Sequence, residues 1–425
     1  MRNRNEYTYD VLVIGGGPAG IAAACAAAPH ARVAIVDENP ALGGQIWRNS
    51  FPARQSHPSG PWHNRLQQTQ ATRLHGLRVF DAPAFNTLHA EAPDGLHILR
   101  YNKLILATGA RERFLPFPGW TLRNVIGAGG LQAMVKSGLP VARKRIVVAG
   151  SGPLLLAVAA FLKSHGAQVV AVCEQAPPRQ LAHFATSIVA YPSKISQAVQ
   201  YRTQLAAVPY RIGWWPVTAH GKSQVESVTL TNGARRLTLD CDFLACGFHL
   251  VPNTELPALL GCSLHNGFVA VDSLQQASVP NVFCAGEITG IGGLDKSLIE
   301  GSIAGYASTG QNSPARKLFA KRNKALGFAA AMERAFAPRP ELRRLPAPQT
   351  TVCRCEDVAH ELLQQHDSWR SAKLHTRCGM GPCQGRVCGA ATEFLYGWPG
   401  ESIRPPILPV RFDTLAEAEK PTAQH

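Results

Sequence analysis

Across its 425 residues the chain has no run of 18 or more apolar residues, so its sequence predicts no membrane-spanning helix. The longest Ala-rich stretch, Ile21 to Ala28, is too short to cross a bilayer and follows a strand and a turn. No apolar core precedes Val11, so a secretory leader is not expected and a cytoplasmic location is the default. Acidic residues are scarce: 28 Asp and Glu stand against 43 Lys and Arg, a net charge of +15. The basic residues are dispersed and no nucleic-acid motif accompanies them, so the excess predicts no nucleic-acid partner. Its densest part, Arg316 to Arg344, reads as a solvated helix and linker, or as a docking face for an acidic partner. Charged residues make up only 17% of the chain and hydrophobic ones 45%, enough for two or three globular domains.

What the chain does contain is two glycine-rich turns and a cysteine-rich tail. Residues Asp10 to Ile14 form an apolar strand that ends at Gly15-Gly16-Gly17. Pro18 and Ala19 then open a small-residue helix, where the missing N–H of proline costs little. A second strand, Arg32 to Val36, ends at Asp37-Glu38 and completes a βαβ unit with an acid about 20 residues past the glycines. Each glycine has a distinct task. Gly15 makes the tight turn, Gly17 lets the backbone approach a pyrophosphate, and Gly20 lets helix and strand pack closely. The helix N-terminus offers N–H groups to phosphate, and Asp37 is placed to accept from an adenosine ribose.

Further along, Gly43-Gly44-Gln45 is a loop with little side-chain bulk. A strand from Lys103 to Ala107 leads into Thr108-Gly109, and another, Asn281 to Ala285, leads into Gly286-Glu287. A carboxylate in that last position suits a flavin ribitol chain, and Gly286 admits the cofactor.

The second turn begins 135 residues after the first, as Gly150-Ser151-Gly152 between the strand Arg145–Ala149 and a helix to about His165. Its second strand, Gln168 to Cys173, ends at Glu174, an acid that favours NAD over NADP. Leu155 takes the third glycine position and is expected to push the helix away from the strand or alter the pocket. This unit is left open between NAD, another adenine nucleotide and a purely structural role.

Six of the eleven cysteines are scattered through apolar stretches and read as reduced core residues, whereas five fall between Cys353 and Cys388. Such a cluster favours metal over disulfides in a cytosolic chain. Cys353-x-Cys355 and Cys383-x4-Cys388 supply four thiolates around a segment, Asp357 to Ser371, expected to be helical. Four is the number a [2Fe-2S] cluster needs, and the single-residue spacer favours it over a closed zinc site. Cys378 is spare, or replaces Cys383 in the step Cys378-x4-Cys383.

Residues 8 to 310 resemble the two-dinucleotide-domain flavoproteins, an α/β class with glutathione-reductase-like Rossmann domains, at Gly15-x-Gly17-x-x-Gly20, Thr108-Gly109 and Gly286-Glu287. Residues 350 to 390 resemble the bacterioferritin-associated-ferredoxin type of [2Fe-2S] domain. The combination, with Thr376-Arg377-x-Gly379-Met380-Gly381-x-Cys383-Gln384-Gly385-Arg386-x-Cys388, is similar to the FAD-binding α subunits of heteromeric amino-acid and opine dehydrogenases. That group covers D-hydroxyproline and dye-linked proline dehydrogenases, opine oxidases and hydrogen cyanide synthase.

The resemblance implies FAD at Gly15, Gly17, Pro18, Ala19, Gly20, Asp37, Glu38, Gly44, Gln45, Thr108, Gly109, Gly286 and Glu287. It implies a cluster at Cys353, Cys355, Cys383 and Cys388. It further implies a β flavoprotein subunit that oxidises a secondary amine, often a small [2Fe-2S] γ subunit, and an acceptor such as a quinone, a dye or oxygen. The corresponding domains are 1–115 with 240–312 for FAD, 116–239 for the second nucleotide fold, 313–349 as basic helix and linker, 350–400 for the cluster, and 401–425 as a tail.

Two other readings compete. A self-sufficient NAD(P)H-dependent flavin and iron–sulfur reductase is one, although a disulfide reductase is excluded: Gln45-Ile46-Trp47 and the single Cys173 leave no redox pair in either place. The other is a zinc-bearing scaffold. No motif identifies a general acid or base.

Overall fold

The computed structural model describes residues 5–48, 58–400 and 403–419, and these form two compact units. The first takes the chain up to Ala110, then Pro252–Ala329 and the tail from 403; the second takes Arg111–Val251 and Ala330 onward to 400. The return to the first unit comes at Pro252 rather than near 240, because Phe243–Phe248 pairs in parallel with Arg145–Ser151 in the second sheet.

In the first unit Asn5–Ile14 is the central strand, parallel to Val33–Asp37 on one side and to Gly95–Leu106 on the other. Gly95–Leu106 has two jobs. Its front half pairs antiparallel with Thr87–Ala92, and its end pairs in parallel with Val282–Cys284. That explains why the strand is longer than the expected Lys103–Ala107.

The helix Pro18–Ala27 is buried along its whole length, which only its alanines and glycine permit. It packs on Gly293–Ser308, where a Cβ at Gly301 or Gly305 would collide with the carbonyl oxygens of Ala19 or Ala23. The C-terminal tail returns to this unit: Ile407 donates its N–H to the Phe80 carbonyl at 2.8 Å, and Arg411 pairs with Glu91 at 3.2 Å.

The second unit has a five-stranded parallel sheet in the order Tyr210–Ile212, Gln168–Glu174, Arg145–Ser151, Phe243–Phe248, Val125–Gly127. Leu155, on the helix Leu154–Ser164, is 1% exposed and packs in a core with Ile146 and Val148. Burying a leucine side chain is worth about 1.5–3 kcal/mol, so here it substitutes for close glycine packing.

The expected basic helix is interrupted, as Asn312–Arg316 and Phe319–Phe336. The cysteine module does not stand alone. Leu342, Leu345 and Phe394 pack into the core beneath the second sheet, and Trp120 donates its indole N–H to the Thr351 carbonyl at 2.6 Å. Inside the module the expected single helix is two, His360–Leu363 and Trp369–Thr376, preceded by the strand pair Thr351–Cys353 and Val358–Ala359. No helix among the described residues is long and apolar enough to cross a membrane.

Candidate functional site

The first glycine turn lies where the central strand meets its helix. A Cβ at Gly15 would meet the Ala107 carbonyl, and one at Gly20 would meet the Gly15 carbonyl, so both positions require glycine. A Cβ at Gly17 would instead point into open space, with only Gly44 Cα near it, at 3.9 Å. The helix beginning at Pro18 has no side-chain cap. Uncapped amides beside a side-chain-free floor suit a pyrophosphate, so the residues present fit a dinucleotide. Gly17→Val is expected to give a folded chain that purifies without flavin, read as flavin absorbance per chain. Full retention would place the cofactor elsewhere.

The acid at the second strand's end behaves differently from the sequence reading. Asp37 is buried and turned inward, accepting N–H bonds from Gly16 at 2.6 Å, from Asn39 at 2.8 Å and from the Asn39 amide at 2.7 Å. It shapes the turn, and Glu38 next to it is the exposed carboxylate. Thr108 and Gly109 are likewise engaged: Thr108 Oγ1 donates to the Asn253 carbonyl at 2.7 Å, and Asn253 N–H donates to the Gly109 carbonyl at 2.9 Å. Gly44 faces Gly17, while Gln45 follows it in the same turn.

Gly286 has φ +87, and a Cβ there would press on Ala19, so this turn is built against the first helix. Glu287 accepts N–H bonds from Gly292 at 3.0 Å and Gly293 at 2.8 Å, and burial raises its pKa above the ordinary carboxylate value. Sequence reasoning missed what lies beneath. Lys296 Nζ, buried, donates to the Gly286 carbonyl at 2.8 Å, to Thr289 Oγ1 at 2.9 Å and to Glu300 Oε2 at 2.7 Å. The same Glu300 oxygen accepts the Gly286 N–H at 3.0 Å. The sequence signal is slight: Lys296 and Glu300 stand four apart on a helix, a spacing usually met on solvated faces.

At the second turn, Glu174 is wholly buried, and its two carboxylate oxygens accept the N–H groups of Gly152 and Ala176, each at 2.8 Å. It is therefore not presented to a ribose. Burial pushes its carboxyl up to about 7. Between the ordinary carboxyl value and about 7, the folded chain keeps a proton that the unfolded chain has released. This group's contribution to stability therefore falls as pH rises through that window. Glu174→Gln should flatten that part of the pH–stability curve in urea unfolding; an unaltered slope would mean the carboxyl is ionised throughout.

In the tail, the sulfurs of Cys353, Cys378 and Cys388 lie within 4.8 Å of one another, and all three residues are buried. Cys383 is in hydrogen-bonding reach of Cys388 and of Cys355, which is exposed. The five sulfurs thus form one continuous group, and Cys378 is a neighbour within it. Backbone N–H groups of Gly379 and Glu356 point at Cys353, and those of Gly385 and Val387 at Cys383. Thiol contacts and these amides lower the Cys353 and Cys383 thiols, while Cys355, Cys378 and Cys388 are raised within the same group. A soft set of sulfur donors with amides aimed at them fits iron–sulfur ligation. Gly379 and Gly385 make this loop possible, both with positive φ and both against the Trp369 ring, and Arg111 Nε holds it through the Arg386 carbonyl at 3.1 Å.

Two dinucleotide folds with a flavin-type Gly-Glu turn define an FAD-dependent oxidoreductase. The chain belongs to the pyridine nucleotide-disulphide oxidoreductase family, whose model matches residues 9–310. It is 31% identical to hydrogen cyanide synthase subunit HcnB of Pseudomonas protegens, over 97% of this chain and 99% of that one. It is 29% identical to an opine oxidase subunit of Rhizobium meliloti, over 96% and 87%. Among solved structures it is similar to L-proline dehydrogenase from P. horikoshii, with TM-score 0.70 and 18% identity over 98% of this chain and 81% of that one. That likeness speaks for the fold.

Proposed function

We propose that this chain is the FAD- and [2Fe-2S]-carrying α subunit of a heteromeric dehydrogenase or oxidase that works on a secondary amine, with D-hydroxyproline preferred over proline or an opine. The observation that carries the reading is one chain holding both a glycine cradle open at Gly17 and a buried thiol group at Cys353, Cys378 and Cys388. The names of its relatives support the rest: two are subunits of a synthase and an oxidase.

When bound, the flavin supplies hydride and single-electron exchange, and the cluster supplies one-electron steps. The chain's own part is positional. Gly15, Gly17, Pro18, Ala19 and Gly20 seat a pyrophosphate, with Gly44 and Gln45 across from Gly17 and Glu38 offered to the ribose. Thr108, Gly109, Gly286 and Glu287 frame the flavin end. Residues 350–400 hold the cluster, with Cys353, Cys355, Cys383 and Cys388 as proposed ligands. No group in the chain is assigned to amine deprotonation, which belongs to a β flavoprotein partner. A small γ subunit joins the two, and the complex works in the cytoplasm.

Co-purification of the chain with the products of neighbouring genes, followed by dye reduction with imino acids and opines, tests this. Amine-dependent dye reduction by the complex, absent from the chain alone, is expected. The same rate from the isolated chain would overturn the subunit reading.

A further inference from the structure

In doubly wound sheets a ligand enters the crevice at the carboxyl ends of the strands, at the point where strand order reverses. In the second unit that point is the end of Arg145–Ser151, flanked by the ends of Gln168–Glu174 and Phe243–Phe248. All three strand ends are already tied to one stretch of the same unit. Ser151 Oγ donates to the Phe336 carbonyl at 2.6 Å. Gln175 Nε2 donates to the Ala337 carbonyl at 3.1 Å, and its Oε1 accepts the Arg339 N–H at 3.2 Å. His249, just past Phe248, pairs through Nε2 with Glu333 at 3.1 Å.

The stretch is also packed, not merely tethered. Phe336 is buried edge-on against Phe184 with centroids 5.1 Å apart, beside Ala176. Arg339 lies over the Trp215 ring at 4.1 Å. Gln175 and Ser151 are both buried, so leaving either without its partner would strand a polar group. Gly152 keeps an open face of its own, so closure comes from the strap across Ser151 and Gln175, not from the turn. The first unit offers the contrast of an exposed Glu38 and an open cradle at Gly17.

We propose that the second nucleotide-binding half takes up no free dinucleotide, because its ligand crevice holds the chain's own Glu333–Arg339 segment. The residues that the fold would devote to NAD do not fit it. The crevice serves instead as the seat of the cysteine module, since the strap runs directly into Pro340–Arg344, where Leu342 is fully buried and Arg343 Nε reaches the Phe394 carbonyl at 3.1 Å.

Titration calorimetry of the full, flavin-loaded chain with NADH and with NADPH tests this, with flavin bleaching followed alongside. No saturable binding up to about 1 mM and no bleaching are expected. A dissociation constant below that limit for either nucleotide overturns the proposal. Hydrogen exchange supplies the second arm. Amides of Phe336, Ala337 and Arg339 should be protected in the wild type, and Ser151→Ala with Gln175→Ala should speed their exchange about tenfold while flavin content stays constant. Fast exchange in the wild type, or no change in the variant, would show that the strap does not occupy the crevice. Neither outcome bears on the proposed amine oxidation, which requires no nicotinamide.

Discussion

Replacing Cys353 with serine is expected to strip the iron from the C-terminal module while the flavin stays. Cys353 is 1% exposed, shares its sulfur environment with Cys378 and Cys388, and receives the N–H groups of Gly379 and Glu356. Serine fits the same space but offers a neutral hydroxyl in place of the thiolate that iron–sulfur clusters select. The glycine cradle for the flavin lies in the other unit and contains none of these residues. Iron and acid-labile sulfide should therefore fall to near background in Cys353→Ser and in Cys388→Ser, at unchanged FAD per chain. Full iron in either variant would remove that residue from the ligand set. Cys355→Ser and Cys378→Ser then assign the remaining positions, since whichever keeps its iron is not a ligand.

Lys296→Met is expected to cost about 3–5 kcal/mol of stability, the range for breaking a buried ion pair by removing one partner. The Lys296 and Glu300 side chains are 1% and 2% exposed, with Nζ and Oε2 2.7 Å apart. Methionine fills the volume of the lysine stem and leaves the Glu300 carboxylate buried without a cation. It also strands the Gly286 carbonyl on the turn that faces the first helix. For a unit of this size the loss corresponds to a melting point lower by about 6–20 °C. The double variant Lys296→Met, Glu300→Gln should recover much of that, because the amide oxygen still accepts the Gly286 N–H and no lone charge remains. An unshifted melting point in Lys296→Met would mean that water reaches the pair.

The strands and turns around the glycines are legible in the sequence because local chemistry dictates them. An apolar run, a glycine that must turn and an acid at the next strand's end leave few alternatives, and the structure has a βαβ unit at both places. What the acids do is not legible. Asp37 and Glu174 sit where ribose partners belong, yet both turn inward onto the amides of their own turns, and nothing local distinguishes an acid that shapes a turn from one that faces a ligand. Lys296 and Glu300 are hidden for the same reason: their spacing is that of a surface pair, and only the glycines at 301 and 305 hint that this helix is buried. The seat of the cysteine module is also out of reach, because Leu342, Leu345 and Phe394 look like linker and surface until the second sheet supplies their core. Among the cysteines, number and spacing point to thiolate ligation. That the Cys378 sulfur lies beside those of Cys353 and Cys388 is a matter of tertiary packing, which spacing along the chain does not reveal.

The proposed function requires one polypeptide to carry both a flavin and a thiolate-held iron–sulfur centre. Anaerobic purification, with FAD, iron, zinc and acid-labile sulfide measured on the same sample, tests it most directly. About one FAD, two irons and two sulfides per chain are expected, with a coloured protein that dithionite bleaches. A colourless chain after reconstitution with FAD, iron and sulfide, or one holding zinc alone, would contradict it.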